Sequence, residues 1–211
     1  MALSHFSTFH LPHARTYWSH PRTHIYIYME FRASIHLWVV GAIMPAVYAV
    51  VYFQAGVYAQ CGIQIYYIIA AIYGWWTWKQ ARERGEATAD DAQGITRISM
   101  LGFTLLLLLS LIPSVPLYFL LSPFNADTIV TLLDAYIAGL SMIAMWMLSR
   151  KFAEQWLAWL VVDIVCVALY LYLSLTSEVN LFATAGLYTL YSALAVVGYL
   201  KWRKMAEGCR S

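Results

Sequence analysis

Residues 154–163 have the sequence EQWLAWLVVD and open a long apolar run that contains one carboxylate. Two indoles, this acid and a phenol follow at positions i, i+3, i+7 and i+14 and share one helix face: Trp156, Trp159, Asp163 and Tyr170. A lone carboxylate in hydrocarbon costs about 2.5–3.5 kcal/mol, so Asp163 is expected to face protein or water and to be functional. Aromatic walls beside a buried anion suit a flat, cationic organic ligand.

The composition is that of an integral membrane protein. Of 211 residues, 62% are hydrophobic and 11% are charged, whereas soluble proteins contain about 25% charged residues. Apolar runs of roughly 20 residues recur, the length that a hydrocarbon core about 30 Å thick requires of a helix. The basic residues lie between these runs and form no single patch, so no nucleic-acid partner is expected. Three scattered cysteines suggest neither a disulfide framework nor a metal site.

About six spans are predicted from these runs: 35–53, 58–79, 99–122, 127–148, 155–175 and 179–202. The joints after the first, third and fifth spans carry no Lys or Arg, whereas the alternate joints and the C-terminal tail are basic. The positive-inside rule therefore places the basic joints and the C-terminus in the cytoplasm.

The second and last spans match at an offset of 124 residues, from Gly62 to Gly186. The other matched pairs are Tyr67 with Tyr191, Ala71 with Ala195, Gly74 with Gly198 and Trp78 with Trp202. Both copies run the same way by the charge argument, so the pattern indicates parallel repeats, an architecture that transporters use. Three helices per repeat would leave the first repeat one helix short, where residues 1–29 are rich in histidine and proline.

The predicted organisation follows from this repeat. It comprises an atypical tail at 1–29, an incomplete first bundle at 30–79, a cytoplasmic loop at 80–98, a linker helix at 99–122, a second bundle at 127–204 and a cytoplasmic tail at 205–211. The linker is aliphatic and contains two prolines, so it is expected to be kinked and to face lipid.

Aromatic and amide side chains of the second span form a second candidate surface. Gln64 and Trp78, with Trp75, are assigned to a stripe that continues through Tyr67 and Ala71 and is polar deep inside the span. Gln64 is interpreted as a ligand contact, or else as a hydrogen bond between helices. Trp76 and Trp202 are interpreted instead as an aromatic belt at the membrane surface. The acid of the fourth span, Asp134, is interpreted as structural, bonding Tyr136 or a neighbouring helix.

Three motifs together resemble the PnuC-type vitamin transporters, which move nicotinamide riboside and, in relatives, thiamine and other vitamins. They are YGWWTWK at 73–79, EQWLAW at 154–159 with Asp163, and GYLKWRK at 198–204. The resemblance implies an all-α fold of two parallel three-helix bundles joined by a linker helix, similar to SWEET transporters. It also implies facilitated diffusion, trapping by a cytoplasmic kinase and a possible homotrimer. It assigns substrate binding to Trp75, Trp78, Trp156, Trp159 and Asp163.

The chain is therefore expected to be an uptake carrier for nicotinamide riboside, with thiamine as the alternative. Neither a catalytic residue nor a cofactor or metal is expected, because the spans hold no phosphate loop and no Ser/His/Asp set. An intramembrane hydrolase using Asp134 and Asp163 is a remote alternative, because the two acids are expected at different depths. A scaffold or sensor is the other alternative.

Overall fold

The computed structural model describes residues 28–54, 58–84, 94–123, 127–176 and 180–208. Seven helices occupy most of these ranges: α1 His36–Gln54, α2 Tyr58–Glu83, α3 Met100–Leu109, α4 Leu111–Leu121, α5 Thr128–Ser149, α6 Gln155–Thr176 and α7 Phe182–Gly208. Residues 1–27 of the predicted N-terminal tail lie outside the described residues.

Five segments within the described ranges are long and apolar enough to cross a membrane: α1, Met100–Leu121, α5, α6 and α7. This confirms an all-helical, multi-pass membrane protein. The sixth predicted span is also helical, and at 26 residues α2 is long enough to cross. It is not among the five, because its tryptophans, tyrosines and glutamines lower its hydropathy.

The chain divides into two compact units. Unit 1 is Met1–Ile95 with Ser149–Lys151 and Met205–Ser211, and unit 2 is Thr96–Leu148 with Phe152–Lys204. The parallel arrangement of two three-helix bundles stays a prediction.

In unit 1, α1 and α2 pack against each other through an indole set into a glycine. A Cβ atom added at Gly74 would overlap the ring of Trp38, so only glycine leaves room for this contact. The same ring lies edge-on to Trp78, with centroids 5.5 Å apart and an interplanar angle of 90°, the T-shaped geometry that aromatic pairs favour.

In unit 2, α6 and α7 pack in the same way. A Cβ atom added at Gly198 would overlap the ring of Trp156. Trp156 lies nearly edge-on to Trp202, with centroids 6.1 Å apart at 78°. Further along the two helices, Tyr170 stacks on Tyr188 at 5.3 Å. The sequence repeat thus corresponds to a repeated packing geometry.

Residues 28–31, before α1, are helical, and their end shares one geometry with the end of α5. A non-glycine residue takes a left-handed conformation at each, Ala33 with φ 51° and Lys151 with φ 55°. The same backbone hydrogen bond spans each end, from the N–H of Ser34 to the carbonyl of Met29 at 2.9 Å and from Phe152 to Met147 at 3.1 Å. This is the Schellman pattern of helix termination. The two ends are 118 residues apart, the interval between Trp38 and Trp156.

The predicted linker is two helices that meet at Ser110. Pro113 has no N–H and its ring clashes with the carbonyl four residues earlier, which interrupts the helix there. The hydroxyl of Ser114 donates to the Ser110 carbonyl at 2.7 Å, and both lie against Gly139 of α5. Only 17% of an 18-residue apolar stretch of this segment is buried, and its role as a lipid-facing connector stays a prediction.

Candidate ligand-binding site

The predicted face of α6 is fully buried within unit 2. Trp156, Trp159 and Asp163 are each 0% exposed. The three side chains belong to one helix and therefore keep a fixed spacing, with Asp163 two turns deeper than Trp156. Their role in binding substrate stays a prediction.

The start of α6 is held by a buried carboxylate that the sequence interpretation left without a role. Glu154 is 1% exposed; it accepts a hydrogen bond from the backbone N–H of Ile98 at 3.0 Å and pairs with Arg97 Nε at 3.5 Å. Beside it, the N–H of Ala153 donates to the Thr96 carbonyl at 3.0 Å. A buried charge is tolerated when it is paired and hydrogen-bonded. These contacts fix where α6 begins and hence the position of its indoles.

Two carboxyl groups are buried in unit 2, those of Asp163 and Asp134. Asp134 is 7% exposed, and its Oδ1 has no hydrogen-bond partner within the described ranges. The predicted structural bond from Asp134 is therefore not made at that oxygen. A cation bound beside a buried carboxylate would offset part of the cost of burying that charge.

At the opposite end of α6, an aspartate ties two helices together. Asp127 Oδ1 accepts from the N–H groups of Ile129 and Val130, at 2.8 and 3.3 Å, and so caps α5. Its Oδ2 accepts from the Tyr172 hydroxyl at 3.0 Å. The Tyr172 bond, followed by the backbone bonds, lowers the pKa of Asp127 below its ordinary value. The carboxylate therefore stays ionised as the cap of α5 and the anchor of α6.

In unit 1 the predicted stripe of α2 is buried except at Trp75. Gln64 is 1% exposed, and neither its amide oxygen nor its amide nitrogen has a hydrogen-bond partner within the described ranges. Tyr67 and Ala71 are buried one and two turns further on. Trp75 is 40% exposed and has Lys79 Nζ 5.1 Å from its ring centre. The stripe was expected to face protein or water, and the predicted part of Trp75 in substrate binding is untested.

Trp78 is held by the end of α5. Its indole Nε1 donates to the Ser149 carbonyl at 3.0 Å, and Lys151 Nζ lies 4.5 Å from its ring centre. These contacts and the Trp38 ring account for its burial by packing alone. Its predicted part in substrate binding is untested.

The belt interpretation was wrong for Trp202, which is 0% exposed. The reason is Gly198, one turn earlier on α7. Because Gly198 has no side chain, the Trp156 ring can approach α7 closely and cover Trp202. Trp76 is 51% exposed, as a belt residue would be.

Trp38 is the aromatic residue that the sequence interpretation missed. It is 1% exposed and is the counterpart of Trp156 in unit 1. A search for matched tryptophans at an offset of 118 residues would have found it.

These features define the class of protein: an all-helical, multi-pass membrane protein with repeated indole packing and acids buried within its spans. Comparison with known families then identifies it. The nicotinamide mononucleotide transporter family matches residues 22–204, and the chain belongs to that family.

Three known proteins show how far the similarity extends. The nicotinamide riboside transporter PnuC of Escherichia coli is 21% identical over 150 residues, which span 62% of this chain and 62% of the relative. The riboflavin/roseoflavin transporter RibM of Streptomyces davaonensis is 26% identical over 178 residues, 82% of this chain and 77% of that one. The crystal structure of the vitamin B3 transporter PnuC superposes with a TM-score of 0.62 at 18% identity, covering 87% of this chain and 77% of the other. That likeness establishes the fold.

Proposed function

We propose that the protein is a carrier that takes up nicotinamide riboside by facilitated diffusion, and that a cytoplasmic kinase then traps the vitamin. It acts in the bacterial inner membrane with its C-terminus in the cytoplasm. The observation that carries this proposal is the pairing of Asp163 with Trp159 on the buried face of α6. Family membership and the similarity to the Escherichia coli PnuC support it.

The chemistry of the ligand fits this pair of side chains. Nicotinamide riboside joins a cationic pyridinium ring to a ribose with hydroxyl groups. An indole face attracts such a ring by stacking and by cation–π interaction, worth about 2 kcal/mol or more when desolvated. A buried carboxylate supplies the counter-charge. Gln64, whose amide is unpaired in unit 1, would hydrogen-bond a hydroxyl or carboxamide. Full burial means that helices must part to admit the ligand, the conformational step that a carrier requires.

Riboflavin is a second candidate substrate, because the match to RibM extends over 82% of the chain and that to PnuC over 62%. Riboflavin is flat and carries a hydroxylated side chain, but it is uncharged. Thiamine, a cation, remains the alternative from the sequence. Of the three ligands, riboflavin alone is uncharged. Asp163 is therefore the residue that distinguishes riboflavin from the two cations.

Uptake by proteoliposomes tests the proposal. The purified chain is reconstituted, and the entry of radiolabelled nicotinamide riboside, thiamine and riboflavin is followed against protein-free liposomes. We expect saturable entry of nicotinamide riboside without an ion gradient, recovery of the unchanged compound, and accumulation only when a nicotinamide riboside kinase and ATP are enclosed. Entry of riboflavin alone would show that riboflavin, and not nicotinamide riboside, is the substrate. Chemical conversion without flux would favour the enzymatic alternative, and a strict need for an ion gradient would exclude facilitated diffusion.

The homotrimer implied by the sequence resemblance is part of the same proposal. Light scattering of the purified protein, corrected for detergent, measures it directly. A mass equal to three chains is expected, and a single-chain mass would contradict it.

A further inference from the structure

The first residue of α6 carries a buried amide that the fold leaves unpaired. Gln155 is 0% exposed, and neither its amide oxygen nor its amide nitrogen has a hydrogen-bond partner within the described ranges. A buried polar group without a partner typically destabilises a protein by about 1–3 kcal/mol. A side chain kept at such a cost needs an explanation beyond the stability of the fold.

The matched position of unit 1 shows that the scaffold does not need the amide. Leu37 lies 118 residues before Gln155 and is also 0% exposed. The backbone agrees with this match, because the N–H of Leu37 donates to the carbonyl of Ser34 at 3.0 Å and that of Gln155 to Phe152 at 3.2 Å. The same local frame therefore accepts leucine in one unit and holds glutamine in the other.

Gln155 is in line with the two residues of unit 2 proposed to hold the ligand. Gln155, Trp159 and Asp163 follow at i, i+4 and i+8, so each lies one turn, about 6 Å, beyond the last on one side of α6. A ring stacked on Trp159 would therefore have an amide at one edge and a carboxylate at the other.

We propose that Gln155 is a ligand-binding residue that selects a flat heteroaromatic ring with a hydrogen-bond donor and an acceptor side by side on its edge, of which a carboxamide is the simplest case. The inference rests on the proposed function: it assigns the carboxamide to Gln155 and leaves the hydroxyl groups to Gln64. A glutamine amide offers both a donor and an acceptor, so it pairs with a carboxamide through two hydrogen bonds. Asp163 then interacts with the positive charge of the ring and with the ribose.

Replacing Gln155 by leucine tests the inference, with a ligand pair that differs only in the carboxamide. Tryptophan fluorescence of the purified full-length protein is titrated with nicotinamide riboside and with ribosylpyridinium, which keeps the cationic ring and the ribose. Two lost hydrogen bonds are worth roughly a tenfold change or somewhat more in Kd. We expect Gln155→Leu to raise the Kd for nicotinamide riboside about tenfold and to leave the Kd for ribosylpyridinium unchanged. The inference would be overturned if the binding of both ligands weakened equally, or if the binding of neither weakened.

Thermal unfolding of the same variants separates a ligand role from a structural one. Leucine at 155 removes an unpaired amide from a site that its counterpart fills with leucine, so Gln155→Leu should raise the melting temperature. The matched control Leu37→Gln introduces such an amide into unit 1 and should lower it. A lower melting temperature for Gln155→Leu would show that the amide has a partner in the fold and would overturn the inference. Wild-type protein that binds neither ligand would contradict the proposed substrate, and the melting temperatures would still decide the role of Gln155.

Discussion

At positions related by the 118-residue interval, unit 1 has Gly41 and Pro45 where unit 2 has Trp159 and Asp163. Each pair follows an indole set into a glycine of the neighbouring helix, Trp38 in unit 1 and Trp156 in unit 2. The frame is thus common to the two units, and the indole and acid that follow it are present in only one. A side chain needed only for folding would be expected in both units.

This comparison divides the predicted binding residues into two groups. Trp156 and Trp78 have counterparts, Trp38 and Trp202, in equivalent edge-on pairs, so packing explains their positions. Trp159 and Asp163 have no aromatic or acidic counterpart in unit 1, where Gly41 and Pro45 take their places. Ligand binding is therefore expected to depend most on the residues that the two units do not share.

The largest effect is expected from Asp163→Asn, which keeps the size of the side chain and removes its charge. Loss of a buried charge partner is worth about 3 kcal/mol or more, or roughly 100-fold in affinity for a cation. Uptake of nicotinamide riboside in proteoliposomes should be abolished, as it should with Trp159→Ala, while both proteins remain folded in the membrane. The matched control is Pro45→Ala, which should transport like wild type. Full uptake by Asp163→Asn would remove the proposed site.

A stability effect of intermediate size is expected from the glycines that hold the shared indoles. In Gly74→Ala or Gly198→Ala the new methyl group would overlap a rigid ring, Trp38 or Trp156. Overpacking of this kind costs about 1–3 kcal/mol, and the loss should be similar in the two units because the geometry is the same. Thermal unfolding in detergent measures it.

The control for this experiment is a second pair of matched glycines, Gly62 and Gly186. A Cβ atom added at either would meet nothing within 4 Å. Alanine favours a helix over glycine by up to about 1 kcal/mol, so Gly62→Ala and Gly186→Ala should stabilise the protein slightly. Destabilisation by all four substitutions to the same extent would mean that the indole contacts are not the cause.

Much of the fold could be predicted from the sequence, because an apolar run of about 20 residues has the length that a helix needs to cross a bilayer. The buried state of Asp163 also follows from the cost of a charge in hydrocarbon. The partner of Trp156 could not be found from the 124-residue repeat alone. In unit 2, 42 residues separate Trp156 from Gly198, whereas 36 separate Trp38 from Gly74, so no single offset aligns both helices of a unit.

Sequence reasoning could equally not predict that Gln155 and Gln64 have no hydrogen-bond partner among the described residues. Whether an amide finds a partner depends on side chains brought in by other helices, which local spacing does not describe. The degree of exposure of Trp75 could not be predicted for a related reason, since its three neighbours at 76–78, two tryptophans and a threonine, offer no polar contrast that orients the helix. Only the close approach of Trp38 to Gly74 marks which side of α2 is packed.

The smallest effect concerns the two left-handed residues that end matched helices, Ala33 and Lys151. Glycine adopts this conformation without strain, so Ala33→Gly should stabilise the protein by roughly 0.5–1 kcal/mol after the greater freedom of the unfolded chain is counted. Lys151→Gly relieves the same strain but removes the ammonium 4.5 Å from the centre of the Trp78 ring, a contact worth about 0.5–2 kcal/mol. It should therefore be neutral or destabilising. In a Trp78→Leu background that penalty should shrink, which a double-mutant cycle of melting temperatures would measure. An equal gain from both glycines would show that the lysine contributes nothing and that the two helix ends are energetically alike.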